Sequence, residues 1–517
     1  MRRCVSLNNT DRRDGHARRR PENISRSTTG NARTADSSQN RGSRTQNPQN
    51  GSVGSKNRNV RVYSSGVRGT SAARRTSSGS NSGGTAGGRQ MRPVKSVSAL
   101  TPTEAKKQNK LEKQRKSYLK RQEHEREWQS DIVRVRGGID GIMLGIILLL
   151  VALGSITVFS ASYPIAITKT GDSMTYIRKQ IMYVILGLIV MTGTIFIPIK
   201  FYRTWAPVVA YGVACVLLVA VLFIGTEEGV TQRWIAILPG VNIQPSEIMK
   251  LAITLILAWY FAKYENKMKE PGIKVGKLYL LNTAIPVGIL GLAVILVLVG
   301  KHLSGMIIVG LIGFLILIVA GCNFKWLMFT AVPLGTVAVS AYLVLNPYAM
   351  KRILTFTDEN ADKLDELYQT TQSLYAIGSG GLFGVGPGES RLKFSYLTAS
   401  HTDFIFSIWC EELGFAGAVA LIGIFLIFMW RGYLIALRAP DKFTMLTAFG
   451  ITTHVGIQAL FNMCVAADIF PNTGISLPFF SYGGSSLIVL LFEMGILLSI
   501  SRQYYKHGSE IRAENAE

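Results

Sequence analysis

Residues 279–346 read YLLNTAIPVGILGLAVILVLVGKHLSGMIIVGLIGFLILIVAGCNFKWLMFTAVPLGTVAVSAYLVLN, three apolar runs parted only by GKHLSG at 300–305 and GCNFK at 321–325. Each run (279–299, 304–321 and 327–346) is long enough to cross the roughly 30 Å hydrocarbon core of a bilayer as a helix. Open backbone groups find no water there, so runs placed back to back commit the chain to membrane helices. Working outward, further apolar runs lie at 139–162, 177–197, 204–224 and 246–262 on one side and at 403–430, 444–468 and 484–501 on the other. The predicted fold is an all-α polytopic membrane protein of ten transmembrane helices, with a membrane domain over 137–503.

Orientation follows from the distribution of positive charge. With the N-terminal segment inside, the short inner connections carry Lys200 and Arg203, then Lys263, Lys267, Lys269, Lys274 and Lys277, then Lys325, then Arg431, Arg438 and Lys442. Ten crossings return the C-terminal tail, 504–517 with Lys506, to the inside. Segments 225–245, 300–303, 347–401 and 469–483 then face outward.

The formal net charge is +24, but residues 1–136 hold 31 Lys/Arg against 10 Asp/Glu, so the basicity belongs to one tail. Residues 1–100 are rich in Ser, Asn, Gly, Thr and Arg and cannot bury enough apolar surface to offset the entropy of ordering, which predicts a disordered cytoplasmic tail. Residues 101–136 begin with Thr101, Pro102 and Glu104 in a capping-box pattern and predict a charged juxtamembrane helix. A basic tail attracts anionic membrane lipid, binds nucleic acid or serves as a docking arm; aromatic residues for base stacking are nearly absent, so nucleic acid is not an expected partner. The opening MRRCVSLNNTDRRDG has no apolar stretch behind its charges, and insertion is expected to be directed by the spans. Cys4, Cys215, Cys322, Cys410 and Cys464 show no paired spacing of a metal site and read as small apolar fillers.

Chemistry is expected in the polar stretch 347–401 between the seventh and eighth spans. It carries Asp358, Glu359, Asp362, Asp365 and Glu366 and enough apolar residues to be ordered. Ionisable groups inside spans are costly and tend to face a bundle interior or a wet cavity; here they are Glu247, Lys250, Glu411, Glu412, His454, Asp468 and Glu493. Glu247 and Lys250 share one helix face and either form a structural pair or line a cavity. His302, His401 and Asp403 fall at outer span ends. Between the last two spans, FPNTGISLPFFSYGGSS, including Ser481 and Ser485, cannot be a plain helix; such backbone is tolerated at membrane depth only where protein buries it or a cavity wets it.

Seven strings carry a further signal: FSAS at 159–162, QRWI at 232–235, QPSEIMK at 244–250, YQTTQSLYAIGSGGLFGVGPG at 368–388, HTDFIF at 401–406, EELG at 411–414 and PNTGISLPFFSYGGSS at 471–486. In this order they resemble the SEDS family of cell-wall proteins (FtsW, RodA and SpoVE), which act in division, elongation and sporulation. The resemblance covers roughly 140–502. It implies a peptidoglycan glycosyltransferase that polymerises lipid II on the outer face of the bacterial cytoplasmic membrane, with the division role expected first and the elongation or sporulation role as the alternative. It also implies a class B penicillin-binding protein as transpeptidase partner, other division proteins around it, and a location at the division septum.

The family's essential Asp stands six residues before a Tyr-Gln pair, in a pattern resembling Asp-Pro-x-Gly-x-Gly-Tyr-Gln. Counting back from Tyr368 gives Asp362 as the implied catalytic residue, although 362–369 read DKLDELYQ, without the Pro and both glycines. Asp358 and Asp365 stand as alternatives. Where relatives resemble Pro-Asp-Leu-Gly after the fifth span, this chain has Lys301-His302-Leu303-Ser304-Gly305, so no role for a carboxylate carries over there.

The implied reaction joins the 4-hydroxyl of one disaccharide to the anomeric carbon of another with inversion, and releases undecaprenyl pyrophosphate. A positioned carboxylate serves as general base, and pyrophosphate needs positive charge rather than a second acid. Arg233, Lys250, Arg352 and Lys393 are candidates for that charge, Glu247, His401, Asp403, Ser481 and Ser485 are further candidate binding groups, and a divalent cation (Mg or Mn) could contribute; its ligands are unknown. A lipid-precursor flippase and a division scaffold are the rival readings. Polar motifs clustered toward the outer ends of the spans favour catalysis over transport.

Overall fold

The structure is a computed structural model that describes residues 132–507, apart from 229–230, 239–240, 348–349, 352–353, 355, 357–367, 395, 398 and 473, together with scattered positions of 102–120. The tail 1–100, Arg352, and all five carboxylates of 358–366 lie outside the described residues, as does the side chain of Arg233.

Strand β1 (Ile132–Arg136) leads into helices α1 (Gly141–Thr170), α2 (Thr175–Phe196) and α3 (Ala206–Ile224). A small sheet of β2 (Thr226–Glu228), β3 (Thr231–Leu238) and β4 (Val241–Ile243) separates α3 from α4 (Pro245–Met268). Next come α5 (Val275–Val299, through a π-helical turn at Leu280–Ala284), α6 (Leu303–Val319) and α7 (Phe324–Leu345). Helix α8 (Tyr368–Ser379) lies in the long loop, followed by α9 (Ile405–Leu437), α10 (Lys442–Ala466), α11 (Gly484–Ser501) and β5 (Gln503–His507).

Among the described residues, nine helices are long and apolar enough to cross a membrane, and the chain is a multi-pass membrane protein. The sixth expected span is the shorter α6, 17 residues long, at the lower end of what bridges hydrocarbon. The fold is predominantly helical, as expected, with a small antiparallel sheet of β2, β3 and β4 added between α3 and α4. One expectation needs correction. The juxtamembrane segment is helical at its described positions up to Lys120, but 132–136 is a strand paired antiparallel with 503–507. That pairing brings the two ends of the helical unit to one end of the bundle, here called the tail end; the 368–404 segment marks the loop end.

Helix ends are specified locally. Asp140 caps α1 by accepting from Met143 N at 3.0 Å, and its other oxygen takes Arg431 Nε of α9 at 2.8 Å. Asp441 and Thr444 close a capping box on α10. Helix α4 is the hub, buried on nearly all sides from Pro245 to Phe261 and touching α3, α5, α6, α10 and α11. A helix surrounded by helices shows lipid no face, so its polar residues stay inside the protein. Helix α7 is the opposite case, with 11% of its span window buried. Helices α2 and α11 approach closely because Gly187 faces Leu491 and Gly495 faces Thr194.

Candidate active site

Glu247 and Lys250 stand in the first two turns of α4, at the loop end of the bundle. Lys250 is 2% exposed, and its Nζ lies 2.7 Å from both carboxylate oxygens of Glu247. The same ammonium donates to Gln458 Oε1 of α10 at 2.7 Å. A buried ammonium is tolerable only when paired and hydrogen-bonded, and these contacts satisfy it.

Glu247 of the pair lines a small, partly open cleft of about 20 Å³, walled also by Gln458, His454, the Ser476–Phe479 turn and Ser481, with Leu487, Val489 and Leu490 of α11 on its apolar side; Lys250 stands one contact behind it. Gln458 Nε2 ties this wall to α10 by donating to the Ser476 carbonyl at 3.0 Å and its Oγ at 3.1 Å. Ser481 Oγ donates to the Thr402 carbonyl at 2.6 Å and accepts from Leu477 N at 2.7 Å. Asn462 Nδ2 bridges the Asp403 and Ile475 carbonyls, both at 2.7 Å. Phe479 holds φ at 67°, a left-handed conformation costly for an aromatic residue, which the turn imposes as it passes over Gly154 of α1. The expectation of irregular backbone buried by protein is met here, with side-chain amides substituting for helical partners.

His401 sits behind this wall. Its ring meets Tyr176 at 5.1 Å and Tyr482 at 5.8 Å between centroids, and its carbonyl accepts from Tyr482 N at 2.9 Å. Burial, with a smaller contribution from the charge of Lys169, lowers the His401 pKa to about 4, so the imidazole is neutral at physiological pH. Asp403 lies beside Gly474, whose Cβ position is 3.5 Å from Asp403 Oδ2. Ser485 is buried at the start of α11, and its Oγ has no hydrogen-bond partner among the described residues.

Lys393 belongs to a different assembly. It is 4% exposed and donates to the Gly388 carbonyl at 2.6 Å, to Ser160 Oγ at 2.9 Å and to Glu412 Oε1 at 3.1 Å; Ser160 also donates to Glu412. Glu411 accepts from Ser390 Oγ at 2.5 Å and Arg391 N at 2.8 Å. The glycine-rich segment docks on α9 by backbone bonds, Val385 N to the Glu411 carbonyl at 3.0 Å and Gly386 N to the Glu412 carbonyl at 3.1 Å. Gly414, at φ 66° and ψ −165°, breaks α9 to expose those acceptors. The ammonium proposed from sequence as a phosphate ligand is thus committed to a lock between the loop, α1 and α9.

The structure brings Glu247 and Ser481 to one cleft with Lys250 held by its lining residues, sets His401 and Asp403 against the 474–482 segment and Ser485 at the start of α11, and places Lys393 in the loop lock. Gln458 and Ser476 were missed as site residues. The signal for Gln458 was available: a lone amide four residues after His454 in an apolar helix, facing the same way. Among the described residues no three His, Cys, Asp or Glu side chains converge as metal ligands would.

The family model described as Cell cycle protein (FtsW/RodA/SpoVE) matches residues 141–506. Over 367 residues the chain is 37% identical to a probable peptidoglycan glycosyltransferase FtsW of Geobacter sulfurreducens, covering 69% of this chain and 94% of that protein. It is 36% identical over 369 residues to the stage V sporulation protein E of Bacillus subtilis, covering 70% and 97%. Among solved structures it is similar to a chain from a study titled "Structural coordination of polymerization and crosslinking by a peptidoglycan synthase complex", with TM-score 0.57, 27% identity and coverage of 70% and 98%. The rod shape determining protein RodA of Thermus thermophilus gives TM-score 0.51 at 27% identity, covering 70% and 97%.

Proposed function

Because this chain belongs to the FtsW/RodA/SpoVE family of cell cycle proteins, we propose that the cleft beside Lys250 is where it polymerises lipid II. The protein is a membrane-embedded peptidoglycan glycosyltransferase, and the proposal concerns its substrate, residues and setting. The observation that carries it is the buried ammonium of Lys250 held by Glu247 and Gln458, both of which line the cleft together with His454, Ser476 and Ser481. A cation kept dry and held by fixed partners stabilises charge developing on a pyrophosphate far better than a solvated one. Lys250 takes that role, with Arg233 and Arg352 as further cations whose side chains lie outside the described residues.

Asp362 is proposed as the general base, removing the proton of the 4-hydroxyl as it attacks the anomeric carbon, an effect worth typically 10²–10⁴-fold. Asp358 and Asp365 are its rivals, and all three lie outside the described residues. The divalent cation expected from sequence finds no three-ligand cluster among the described residues and enters no step. The β1–β5 pairing supports an even number of crossings, hence a tenth by α6, with both flanks cytoplasmic and the cleft outward. A class B penicillin-binding protein is the proposed partner at the septum; the kinship with a chain of a peptidoglycan synthase complex supports an assembly of this kind.

The test is lipid II polymerisation by the purified protein, alone and with the cognate penicillin-binding protein, comparing wild type with Asp362→Ala, Asp358→Ala, Asp365→Ala and Lys250→Met. Loss of glycan strands confined to Asp362→Ala and Lys250→Met is expected. Normal strands from Asp362→Ala would move the base to a neighbour. A folded wild type inactive even with its partner would return the question to flippase or scaffold.

A further inference from the structure

Halfway along both helices, α10 and α11 meet through two ionisable side chains, His454, which lines the cleft, and Glu493, which does not. His454 is twelve residues from each end of α10, roughly 18 Å at helical rise, and Glu493 sits near the middle of α11. His454 is 4% and Glu493 0% exposed. Imidazole Nδ1 lies 2.8 Å from Glu493 Oε2, and Nε2 lies 2.9 Å from Gln458 Oε1. Glu493 Oε1 has no partner among the described residues, so the carboxyl serves His454 alone.

The hydrogen positions follow from the chain of contacts. A carbonyl cannot donate, so the Ser476 carbonyl fixes Nε2 as the atom of Gln458 that faces it. Gln458 Oε1 is therefore turned toward Lys250 Nζ and His454 Nε2 and accepts from both. His454 must then carry hydrogen on Nε2. Its Nδ1 edge meets a carboxyl oxygen, and a bare lone pair facing a carboxylate would repel, so that contact also holds one proton. Whether the proton sits on nitrogen or oxygen, the pair as a whole is uncharged.

We propose that Glu493 and His454 are positioning residues for the transferase: they lock the Nε2–H form of the imidazole, which holds the Gln458 carbonyl oxygen on the Lys250 ammonium at the cleft. The inference rests on Lys250 serving the reaction as proposed above. An ionised carboxylate beside a neutral imidazole would fix Nδ1–H and leave Nε2 bare; the proton held within the pair is what keeps Nε2–H as well. Other charged groups on the helices packed against α10 and α11 are engaged elsewhere or stand at helix ends. Glu411 is held by Ser390, Glu412 by Lys393, Arg431 by Asp140 and Arg178 by Asp172. Glu247 pairs Lys250, Glu265 takes Lys269 and Lys442, Lys263 and Lys267 lie over aromatic rings, and His302 contacts Ser246. Lys169, Lys179, Arg438, Asp441 and Arg502 are in terminal turns or caps.

Removing the carboxyl takes away the partner of His454 Nδ1. In Glu493→Ala the ring is no longer held with Nε2–H on Gln458 Oε1, and the amide oxygen loses the contact that keeps it steady against the Lys250 ammonium. In Glu493→Gln the new amide NH₂ still donates to Nδ1, which keeps the hydrogen on Nε2. The Gln variant should therefore retain the activity that the Ala variant loses.

The experiment measures lipid II polymerisation by the full-length protein with its partner for wild type, Glu493→Ala, Glu493→Gln and His454→Phe/Glu493→Ala. Expected is a kcat about fivefold or more lower in Glu493→Ala with KM changed less than about twofold, recovery to within about twofold of wild type in Glu493→Gln, and no further loss in the double variant. A kcat of Glu493→Ala equal to wild type, or a Glu493→Gln as impaired as Glu493→Ala, would overturn the proposal. Independently of activity, ¹⁵N-histidine NMR of the wild type should show one imidazole with a persistent Nε2–H, assigned by its loss in His454→Phe. Absence of hydrogen on that Nε2 would also overturn it. Inactivity of the wild type would count against the glycosyltransferase assignment of the cleft, while the NMR result would still decide the tautomer lock.

Discussion

Replacing Lys393 by Met separates a structural lysine from a ligand lysine. The ammonium has three partners, the Gly388 carbonyl, Ser160 Oγ and Glu412, and both members of the ion pair are under a tenth exposed. Removing one member of a buried pair leaves the other charge uncompensated and costs about 3–5 kcal/mol. The loss falls on the docking of 384–393 against α9, because the described partners of Lys393 lie in that loop, α1 and α9. At tenfold per 1.4 kcal/mol, local opening should rise about 100-fold at the low end and over 1,000-fold at the high end. Hydrogen exchange of the Val385 and Gly386 amides, which bond to the Glu411 and Glu412 carbonyls, reads that opening directly.

The companion is Lys393→Met/Glu412→Met, which removes both charges and should restore most of the protection, since an apolar pair of similar volume is often neutral. If Lys393 instead served a phosphate, the single variant would raise KM and leave the exchange of these amides within about tenfold of wild type. That pattern would refute the lock.

Lys250→Met should abolish strand synthesis and destabilise the bundle by about 3–5 kcal/mol, whereas Lys250→Met/Glu247→Met should recover stability without activity; thermal unfolding paired with the polymerisation assay checks both. Gly384→Ala should detach the loop, because Gly384 holds φ at 83° and a Cβ there would overlap the Glu412 carbonyl; protease susceptibility within 380–393 should rise, and Gly378→Ala, with open space around it, should leave it unchanged. His401 has a folded pKa of about 4 against about 6.5 when unfolded. Below about pH 6.5 the unfolded chain binds the extra proton, so the stability linked to His401 is present above that value and lost as pH falls toward 4; a melting profile over this range should flatten in His401→Phe.

The membrane spans were legible because burial in hydrocarbon demands long apolar runs, and each expected run corresponds to a helix. Their ends were less so. Helix α1 continues to Thr170, past the predicted 162, since Gly171 rather than a loss of hydropathy ends it at φ 70°. The β2–β4 sheet was not legible because three- to eight-residue strands carry little periodicity. Glu411, Glu412, His454 and Glu493 were flagged as buried charges without their partners: those of the two α9 glutamates come from the loop residues 390–393 and from Ser160 of α1, and Glu493 meets His454 from the neighbouring helix. Ion pairs across a bundle leave no local pattern.

The two buried lysines show what limits such reading. Lys250 ends the QPSEIMK string and Lys393 follows the 368–388 string, each pairs with a glutamate, and the sequence offers both as cations for a pyrophosphate. What separates them is what else their ammonium groups touch. Lys393 meets a backbone carbonyl and a serine that also serves the same glutamate. Lys250 meets a glutamine side chain whose orientation is set by a second group, His454, and whose other end holds the cleft wall. The fixed acceptors of Lys250 line the cleft themselves, so its charge is one contact from the space a substrate would enter; the acceptors of Lys393 tie a loop to two helices. The physical difference between a site and a scaffold here is what the acceptors around the charge border.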